Sequence, residues 1–217
     1  ENGATGSGLG EGGGAIWAVC LGPDDDYLIE NCLFAGNSTN GSGGAAFVES
    51  TQAPAVIADC TFVGNSAGAD GGAASVWDYT FTNCVLWGDW APLGSELAVQ
   101  AGPYFAGSLA ITYCDVQAGQ AGVYLYPNAT LNWGAGNLST DPLFGDPDGP
   151  DGDPLTFGDN VYRLDPASPC IDAGDNTSVP ADLADIDGDG DRSEPVPLDL
   201  NNKPRFTDLP AVPDTGN

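Results

Sequence analysis

Histidine and methionine are absent from the chain, and only four of its 217 residues are basic. All four lie late in the sequence, at Arg163, Arg192, Lys203 and Arg205. Together with 31 acidic residues they give a formal net charge of −27. Such a charge repels phosphate backbones and excludes nucleic acid as a partner. No apolar run approaches the roughly 18 residues that a membrane-spanning helix needs, so the sequence predicts no membrane span.

The missing bases also restrict the chemistry that the chain can perform. Residues 1–162 contain no His, Lys or Arg, which are the side chains most often used for general base catalysis or for binding a carboxylate substrate. Only carboxylate, tyrosine or metal chemistry remains there. Paired carboxylates such as Asp24, Asp25 and Asp26 could serve glycoside hydrolysis. We therefore expect no catalysis, with a carbohydrate-active hydrolase or lyase as the less favoured alternative.

Charge divides the chain near Asp141. Residues 1–140 hold 13 acidic and no basic residues, whereas the shorter segment 141–217 holds 18 acidic and four basic residues. A hydrophobic content of 41% with five tryptophans indicates a folded chain with a core. The sequence thus predicts a folded domain over 1–140 and an acidic, Pro/Gly-rich tail over 141–217 that packs on the domain or caps it.

Internal repetition is the strongest signal in the sequence. Four segments align without gaps, and each has a cysteine at its fifth position. They are Leu28–Asn37, Val56–Asn65, Thr80–Asp89 and Ala110–Gly119, with the equivalent cysteines Cys32, Cys60, Cys84 and Cys114. No segment of the repeat shows the 3.6-residue periodicity of a helical repeat. Short strands joined by sharp corners therefore account for the pattern best.

A Gly-Gly-Ala motif opens a second repeated strand, in which apolar residues alternate at Ile16/Ala18, Ala46/Val48 and Ala74/Val76. This alternation predicts one buried face, and the variable positions between, Trp17, Phe47 and Ser75, are expected to face solvent. We predict an all-β fold, a right-handed parallel β-helix of four or five coils with about three strands each and an irregular acidic tail.

The residue before each repeat cysteine is expected at a bend, because the apolar residue three positions before the cysteine must face the same core. The stacked cysteines should be free, buried thiols, since parallel in-register side chains suit a disulfide poorly. Cys20 and Cys170 lie off this ladder, and their disulfide state is left open. Asn37 and Asn65 are predicted to stack as an amide ladder at a coil corner.

The motif Asn-Cys-x-Phe-x-Gly-Asn-Ser followed by Gly-Gly-Ala resembles the repeats of large secreted bacterial right-handed β-helix proteins. These resemble the pectate-lyase-like superfamily in shape and the polymorphic outer-membrane protein repeats in motif. The tail is similar to their closing region at Ser168–Gly174 and Pro204–Phe206. The resemblance implies a fold and an extracellular or cell-surface setting, but no particular activity. Because the first coil begins in mid-repeat, we expect the chain to belong to something longer.

Two acidic loops of the tail have the residue types that bind calcium. In the first, carboxylates alternate and a glycine stands sixth, which is typical of the first half of a calcium loop. Its candidate ligands are Asp185, Asp187, Asp189, Asp191 and Glu194. A second and weaker candidate loop contains Asp146, Asp148, Asp151 and Asp153. A solvated acidic turn remains the alternative for both.

The sequence favours an extracellular structural or adhesive protein, with end-to-end assembly into a filament as one option. Strand edges at the ends of a β-helix can pair with another copy, and head-to-tail contacts give open filaments. The alternative is a polysaccharide-binding or polysaccharide-degrading β-helix. Its glycan would stack on a stripe of aromatic side chains along the solenoid. The alternative is that these side chains pack against loops and tail. They are Trp17, Trp77, Trp87, Trp90, Tyr104, Tyr124, Tyr126 and Trp133.

Overall fold

The computed structural model describes residues 3–4, 12–20, 27–50, 55–207, 210, 212 and 215–216. It shows a parallel β-solenoid of about four turns, which confirms the predicted all-β architecture. The strands of the solenoid are β1 (Gly3–Ala4), β2 (Ile16–Cys20), β3 (Leu28–Glu30), β4 (Leu33–Ala35), β5 (Ser38–Thr39), β6 (Ala46–Ser50), β7 (Ala55–Ala58), β8 (Thr61–Val63), β9 (Ser66–Ala67), β10 (Ala74–Val76), β11 (Asp78–Thr82), β12 (Val85–Trp87), β13 (Leu97–Val99), β14 (Ser108–Thr112), β15 (Asp115–Val116), β16 (Val123–Leu125) and β17 (Thr130–Trp133).

Corresponding strands of successive coils pair in parallel and form the walls of the solenoid. The first wall has the order β16-β13-β10-β6-β2, the second β17-β14-β11-β7-β3 and the third β15-β12-β8-β4. The register follows the sequence repeat, since Ile57 lies between Ile29 and Phe81 in the second wall. In the third wall Phe62 lies between Phe34 and Leu86.

The core is a set of stacked columns of apolar side chains inside the coil. Phe34 and Phe62 stack with ring centroids 4.7 Å apart, and Phe81 lies 6.1 Å from Phe62. The alternating residues Ala46, Val48, Ala74 and Val76 of the first wall are fully buried, as the period of two predicts, whereas Ile16 and Ala18 in β2 are half-buried. Parallel in-register stacking places like side chains on one another in every turn, so a repeated sequence gives a continuous core.

Four strands, not three, make up each of the first two coils. The additional short strand follows Asn37 in one coil and Asn65 in the next, and β1, β5 and β9 form a fourth narrow wall. In the next coil only a single bridge between Ser66 and Trp90 continues this wall. Two residues per strand are too few to show a period, so no periodicity in the sequence predicts this wall.

The tail is largely turns. It contains one antiparallel pair, β18 (Phe144–Asp146) with β19 (Val161–Leu164), and a 3₁₀ turn at Asn176–Ser178. A second 3₁₀ turn, Gly119–Gly122, lies at the end of the solenoid before β16. Among the described residues, no helix has the length and hydropathy required to cross a membrane.

Candidate functional site

The residue before each repeat cysteine lies at a corner of the coil, as the sequence predicts. Asn31, Asp59, Asn83 and Tyr113 all have left-handed backbone conformation, with φ between 51° and 54°. Asparagine and aspartate tolerate this conformation better than other non-glycine residues. The corner therefore explains the Asn and Asp at this position, and it aligns their side chains in a row along the solenoid.

This row is where the tail attaches. Arg205 forms a salt bridge of 3.2 Å with Asp59 and donates a hydrogen bond of 2.8 Å to Oδ1 of Asn31. Its Nε donates to the carbonyl oxygen of Val196 at 3.1 Å. Burial raises the pKa of Asp59, and the Arg205 charge opposes that rise. The Arg205 guanidinium thus connects two coils of the solenoid to the tail.

A second attachment lies one coil further along. Asn83 accepts a hydrogen bond of 2.7 Å from the Asp175 backbone N–H and donates one of 3.0 Å to the Asp175 carbonyl. Beyond it, the thiol of Cys170 donates to Oδ2 of Asp115 at 3.1 Å. Burial, followed by the Asp115 carboxylate, raises the pKa of the Cys170 thiol to about 12. The tail therefore follows the corner row over several coils.

The predicted cysteine ladder is present as a column of free thiols. Cys32, Cys60, Cys84 and Cys114 are all free, and Cys170 is free as well. The Cys84 backbone N–H donates to the sulfur of Cys114 at 3.3 Å. At the next coil Asn137 takes the cysteine position, and its Oδ1 accepts from the Cys114 N–H at 3.0 Å. For Cys60 the hydrogen bond with Cys32 lowers the pKa, but the hydrogen bond with Cys84 and then burial raise it well above its ordinary value. For Cys84 burial is the largest cause of the raised pKa.

The asparagine ladder is also present, and it ends in an acid. Asn37 Nδ2 donates to Asn65 Oδ1 at 2.9 Å, and Asn65 Nδ2 donates to Asp89 Oδ1 at 2.8 Å. The Asn65 backbone N–H donates to the same Asp89 oxygen at 2.7 Å. All three side chains are buried. The ladder thereby satisfies backbone and side-chain amides that would otherwise lie unpaired in the interior.

Asp89 contacts a second buried acid, Glu96, which the sequence reading missed. The Glu96 residue is fully buried, and burial followed by the neighbouring Asp89 charge raises its pKa far above the ordinary value. Asp89 already accepts two hydrogen bonds from Asn65. Glu96 therefore keeps its proton to a higher pH than Asp89 does. Glu96 occupies the position that Ala45 and Ala73 occupy in the preceding coils. An acid in place of a buried alanine is the signal in the sequence that points to Glu96.

One prediction about the first wall is wrong. Ser75 was expected to face solvent, but it is fully buried and donates to Asp70 Oδ1 at 2.8 Å. Gln100 and Tyr126 donate to the same carboxylate, at 2.9 Å each. The loop residues of neighbouring coils close over the outer face of the wall at this point. Trp17, at the equivalent position, is 59% exposed as expected.

A cleft of about 790 Å³ lies between the third wall and the first tail loop. Trp87 and Trp90 line its solenoid side, and Phe144 and Tyr162 line its tail side. Asp141 is the one acid among the described lining residues. Apolar walls with few polar groups are typical of ligand sites.

Phe157 fixes the tail loop to the floor of this cleft. Its ring lies over Gly36 and Gly64, where an added Cβ would come within 2.1 and 2.4 Å of ring atoms. Both glycines have φ of 64°, a conformation that side-chain-bearing residues rarely adopt. Gly36 and Gly64, which each follow a third-wall strand, thus serve both the turn and the docking of the tail.

The aromatic residues do not form one stripe along the solenoid. Trp133 packs against the core, and Tyr126 bonds to Asp70 and makes an edge contact with Tyr124. Of the predicted set, Trp87 and Trp90 line the cleft. The remaining cleft aromatics come from the tail, whose irregular sequence gave no period from which to place them.

The first acidic loop does bring carboxylates together. Oxygens of Asp185, Asp187 and Asp189 lie within 4.8 Å of one another, and so do oxygens of Asp182, Asp187 and Glu194. Asp191 belongs to neither group. Its Oδ1 accepts hydrogen bonds from the backbone N–H and the hydroxyl of Ser193.

The second acidic loop is different. Among the described residues, no three of its four acids, Asp146, Asp148, Asp151 and Asp153, converge in this way. Asp151 instead accepts from Thr156 and from the Asp153 N–H. Asp151 and Asp153 therefore cap turns of this loop. Asp24–Asp26 and the side chain of Cys20 lie outside the described residues.

Comparisons with protein families, curated proteins and solved structures give no match.

Proposed function

We propose that the chain is an extracellular structural and adhesive β-solenoid module that binds a polysaccharide in the cleft between solenoid and tail. The observation that carries the proposal is the pair Trp87 and Trp90 opposite Phe144 and Tyr162. Exposed aromatic rings offer a flat apolar face with a polar rim, which is a common recognition surface. The repeat resemblance to secreted bacterial β-helix proteins supports the location.

The electrostatics favour a neutral polysaccharide. The chain carries a net charge of −27, and the tail loop over the cleft contains Asp146, Asp148 and Asp151. These negative charges would repel a polyanion such as pectate. Among the described residues of the cleft lining, no positive group is present to bind it. A neutral sugar polymer has no such cost.

Binding is favoured over hydrolysis at this site. Glycoside hydrolysis uses two carboxyl groups roughly 5 to 9.5 Å apart on either side of the scissile bond. Asp141 is the single carboxylate in the described lining of the cleft. A polysaccharide-degrading enzyme therefore stays the weaker alternative.

Retention on insoluble cellulose, chitin and mannan tests the proposal, with polygalacturonate as the polyanionic comparison. We expect retention on at least one neutral polymer and about tenfold weaker binding for Trp90→Ala. Trp17→Ala is the matched control, because Trp17 and Trp90 are both 59% exposed but Trp17 lies outside the cleft. Failure on all neutral polymers, or equal losses for both variants, would show that the cleft does not bind glycans.

A second candidate function is end-to-end assembly into a filament. Within the described residues, β2 and β3 at one end, and β16 and β17 at the other, pair on one side only. Such edges accept a further parallel strand. Electron microscopy of the purified chain, with calcium and with chelator, would show ordered filaments under this hypothesis. Dispersed short rods in both conditions would contradict it.

A further inference from the structure

A buried carboxylate in the tail has an oxygen that the protein does not satisfy. Asp182 is 1% exposed, and its Oδ2 accepts a hydrogen bond of 2.8 Å from the Ile186 N–H. Its other oxygen, Oδ1, is buried without a hydrogen-bond partner in the described part of the chain. The Oε1 atom of Glu194 is likewise buried and has no hydrogen-bond partner among the described residues. Buried carboxylate oxygens normally have donors or a cation beside them.

The backbone holds these two acids together at the base of the loop. The Asp182 N–H donates to the Glu194 carbonyl at 2.8 Å, and the Val196 N–H donates to the Pro180 carbonyl at 2.9 Å. Ala181 and Pro195 form an antiparallel bridge between these bonds. The loop therefore brings Asp182 and Glu194 into contact despite their like charges.

A third acid reaches the same point from the tip of the loop. One oxygen each of Asp182, Asp187 and Glu194 lies within 4.8 Å of the others. Among the described residues, no lysine or arginine forms an ion pair with any of the three. Three close carboxylates without a basic partner repel one another, and a bound cation relieves that repulsion.

We propose that Asp182, Asp187 and Glu194 bind one divalent hard cation, calcium, with Asp182 as its buried ligand. Carboxylate oxygens are what calcium prefers, and its coordination is flexible enough for an irregular loop with added water. Asp187 also belongs to a second group of close carboxylates, together with Asp185 and Asp189. The alternating acidic motif in the sequence contains Asp187, whereas Asp182 precedes that motif. The proposed ligand set therefore includes Asp182, which the sequence did not predict, and leaves out Asp191, which it did.

The site is linked to the attachment of the tail. Val196, two residues after Glu194, is buried, and its carbonyl accepts the Arg205 Nε hydrogen bond that belongs to the Asp59 cluster. A cation that closes the base of the loop also fixes this segment. We therefore expect calcium to slow proteolysis of the tail.

Calorimetric titration of the metal-free full chain with calcium chloride, in physiological salt, tests the site. Salt suppresses general attraction between calcium and an acidic protein. We expect a saturable site, with affinity at least about tenfold weaker in Asp182→Asn and in Glu194→Gln. Asp191→Asn is the matched control, because it removes the same charge from the same loop outside the trio.

The outcomes separate the alternatives. The site is supported if calcium affinity is weaker in Asp182→Asn and Glu194→Gln, and if Asp191→Asn binds calcium like the unmodified chain. Equal weakening by all three variants would show general charge attraction and overturn it, and so would the absence of saturable binding. If Asp182→Asn unfolds, as judged by circular dichroism, Glu194→Gln alone decides, since Glu194 is only half-buried.

Discussion

The guanidinium of Arg205 lies 3.2 Å from the carboxylate of Asp59, and this ion pair joins the end of the tail to a corner of the solenoid. The two side chains are mostly buried, with 15% and 5% exposed. The same guanidinium donates to Asn31 one coil away. One side chain therefore connects two successive corners to the tail.

Replacement of Arg205 by alanine should release the tail from this corner. It leaves the buried Asp59 carboxylate without its partner, a change that costs about 3 kcal/mol in comparable buried pairs. Limited proteolysis and denaturant unfolding measure the effect. Arg192→Ala is the control, because Arg192 is an exposed tail arginine. Equal cleavage rates for both variants would contradict the proposed attachment.

Truncation of Phe62 should destabilise the solenoid more than any surface change. The ring is fully buried between Phe34 and Phe81 in the core columns. Phenylalanine-to-alanine changes in such sites cost about 3–5 kcal/mol, because a cavity remains. Urea unfolding gives the difference, and Phe105→Ala, at a 58% exposed loop ring, is the comparison. A loss below about 1 kcal/mol for Phe62→Ala would contradict the packing described.

Stability should fall as pH rises, and Glu96 should account for part of that fall. In the unfolded chain Glu96 ionises near its ordinary pKa of 4.5, whereas burial and Asp89 hold the folded pKa far higher. Above pH 4.5 the folded state keeps a proton that the unfolded state has lost. This contribution is complete below that pH and declines above it, by up to about 1.4 kcal/mol per pH unit.

Glu96→Gln should make the pH dependence of unfolding shallower, because an amide can donate to Asp89 at every pH. Thermal unfolding from pH 5 to pH 8 measures this, with exposed Asp148→Asn as the charge-matched control. Parallel curves for Glu96→Gln and the unmodified chain would show that Glu96 carries no such proton.

The ladder thiols should resist alkylation until the solenoid unfolds. Cys60 and Cys84 are buried and have raised pKa values, so the reactive thiolate is scarce in the folded chain. Mass spectrometry after iodoacetamide treatment, with and without denaturant, gives the labelled positions. Labelling of Cys84 in the native chain as fast as in the denatured one would contradict its burial.

The sequence predicted those features that repeat from coil to coil. Stacked cysteines, the corner residue before each of them and the buried alternation of the first wall all depend on local geometry that every turn shares. Features that occur once were harder to predict. Glu96 replaces an alanine, and Asp89 replaces an asparagine, within one coil, and only three-dimensional stacking shows that the two exchanges meet.

The tail illustrates the other limit of sequence reading. Its segments are turns whose positions depend on distant partners, such as Asn83 with Asp175 and Arg205 with Asp59. No periodicity encodes such pairs. The acidic motif from Asp185 indicated the loop, but Asp182 comes close only because the chain closes back on itself at Glu194.

The unequal spacing of equivalent ladder residues has a consequence for how such a chain can change. Equivalent ladder residues are separated by 28 residues between Asn37 and Asn65, 24 between Asn65 and Asp89, and 30 between Cys84 and Cys114. The extra length lies in loops such as 100–107, where Tyr104 is 89% exposed. Loop length is thus uncoupled from the register of the walls. Foreign peptides grafted at Tyr104 would be displayed on a rigid scaffold without disturbing the coils above and below.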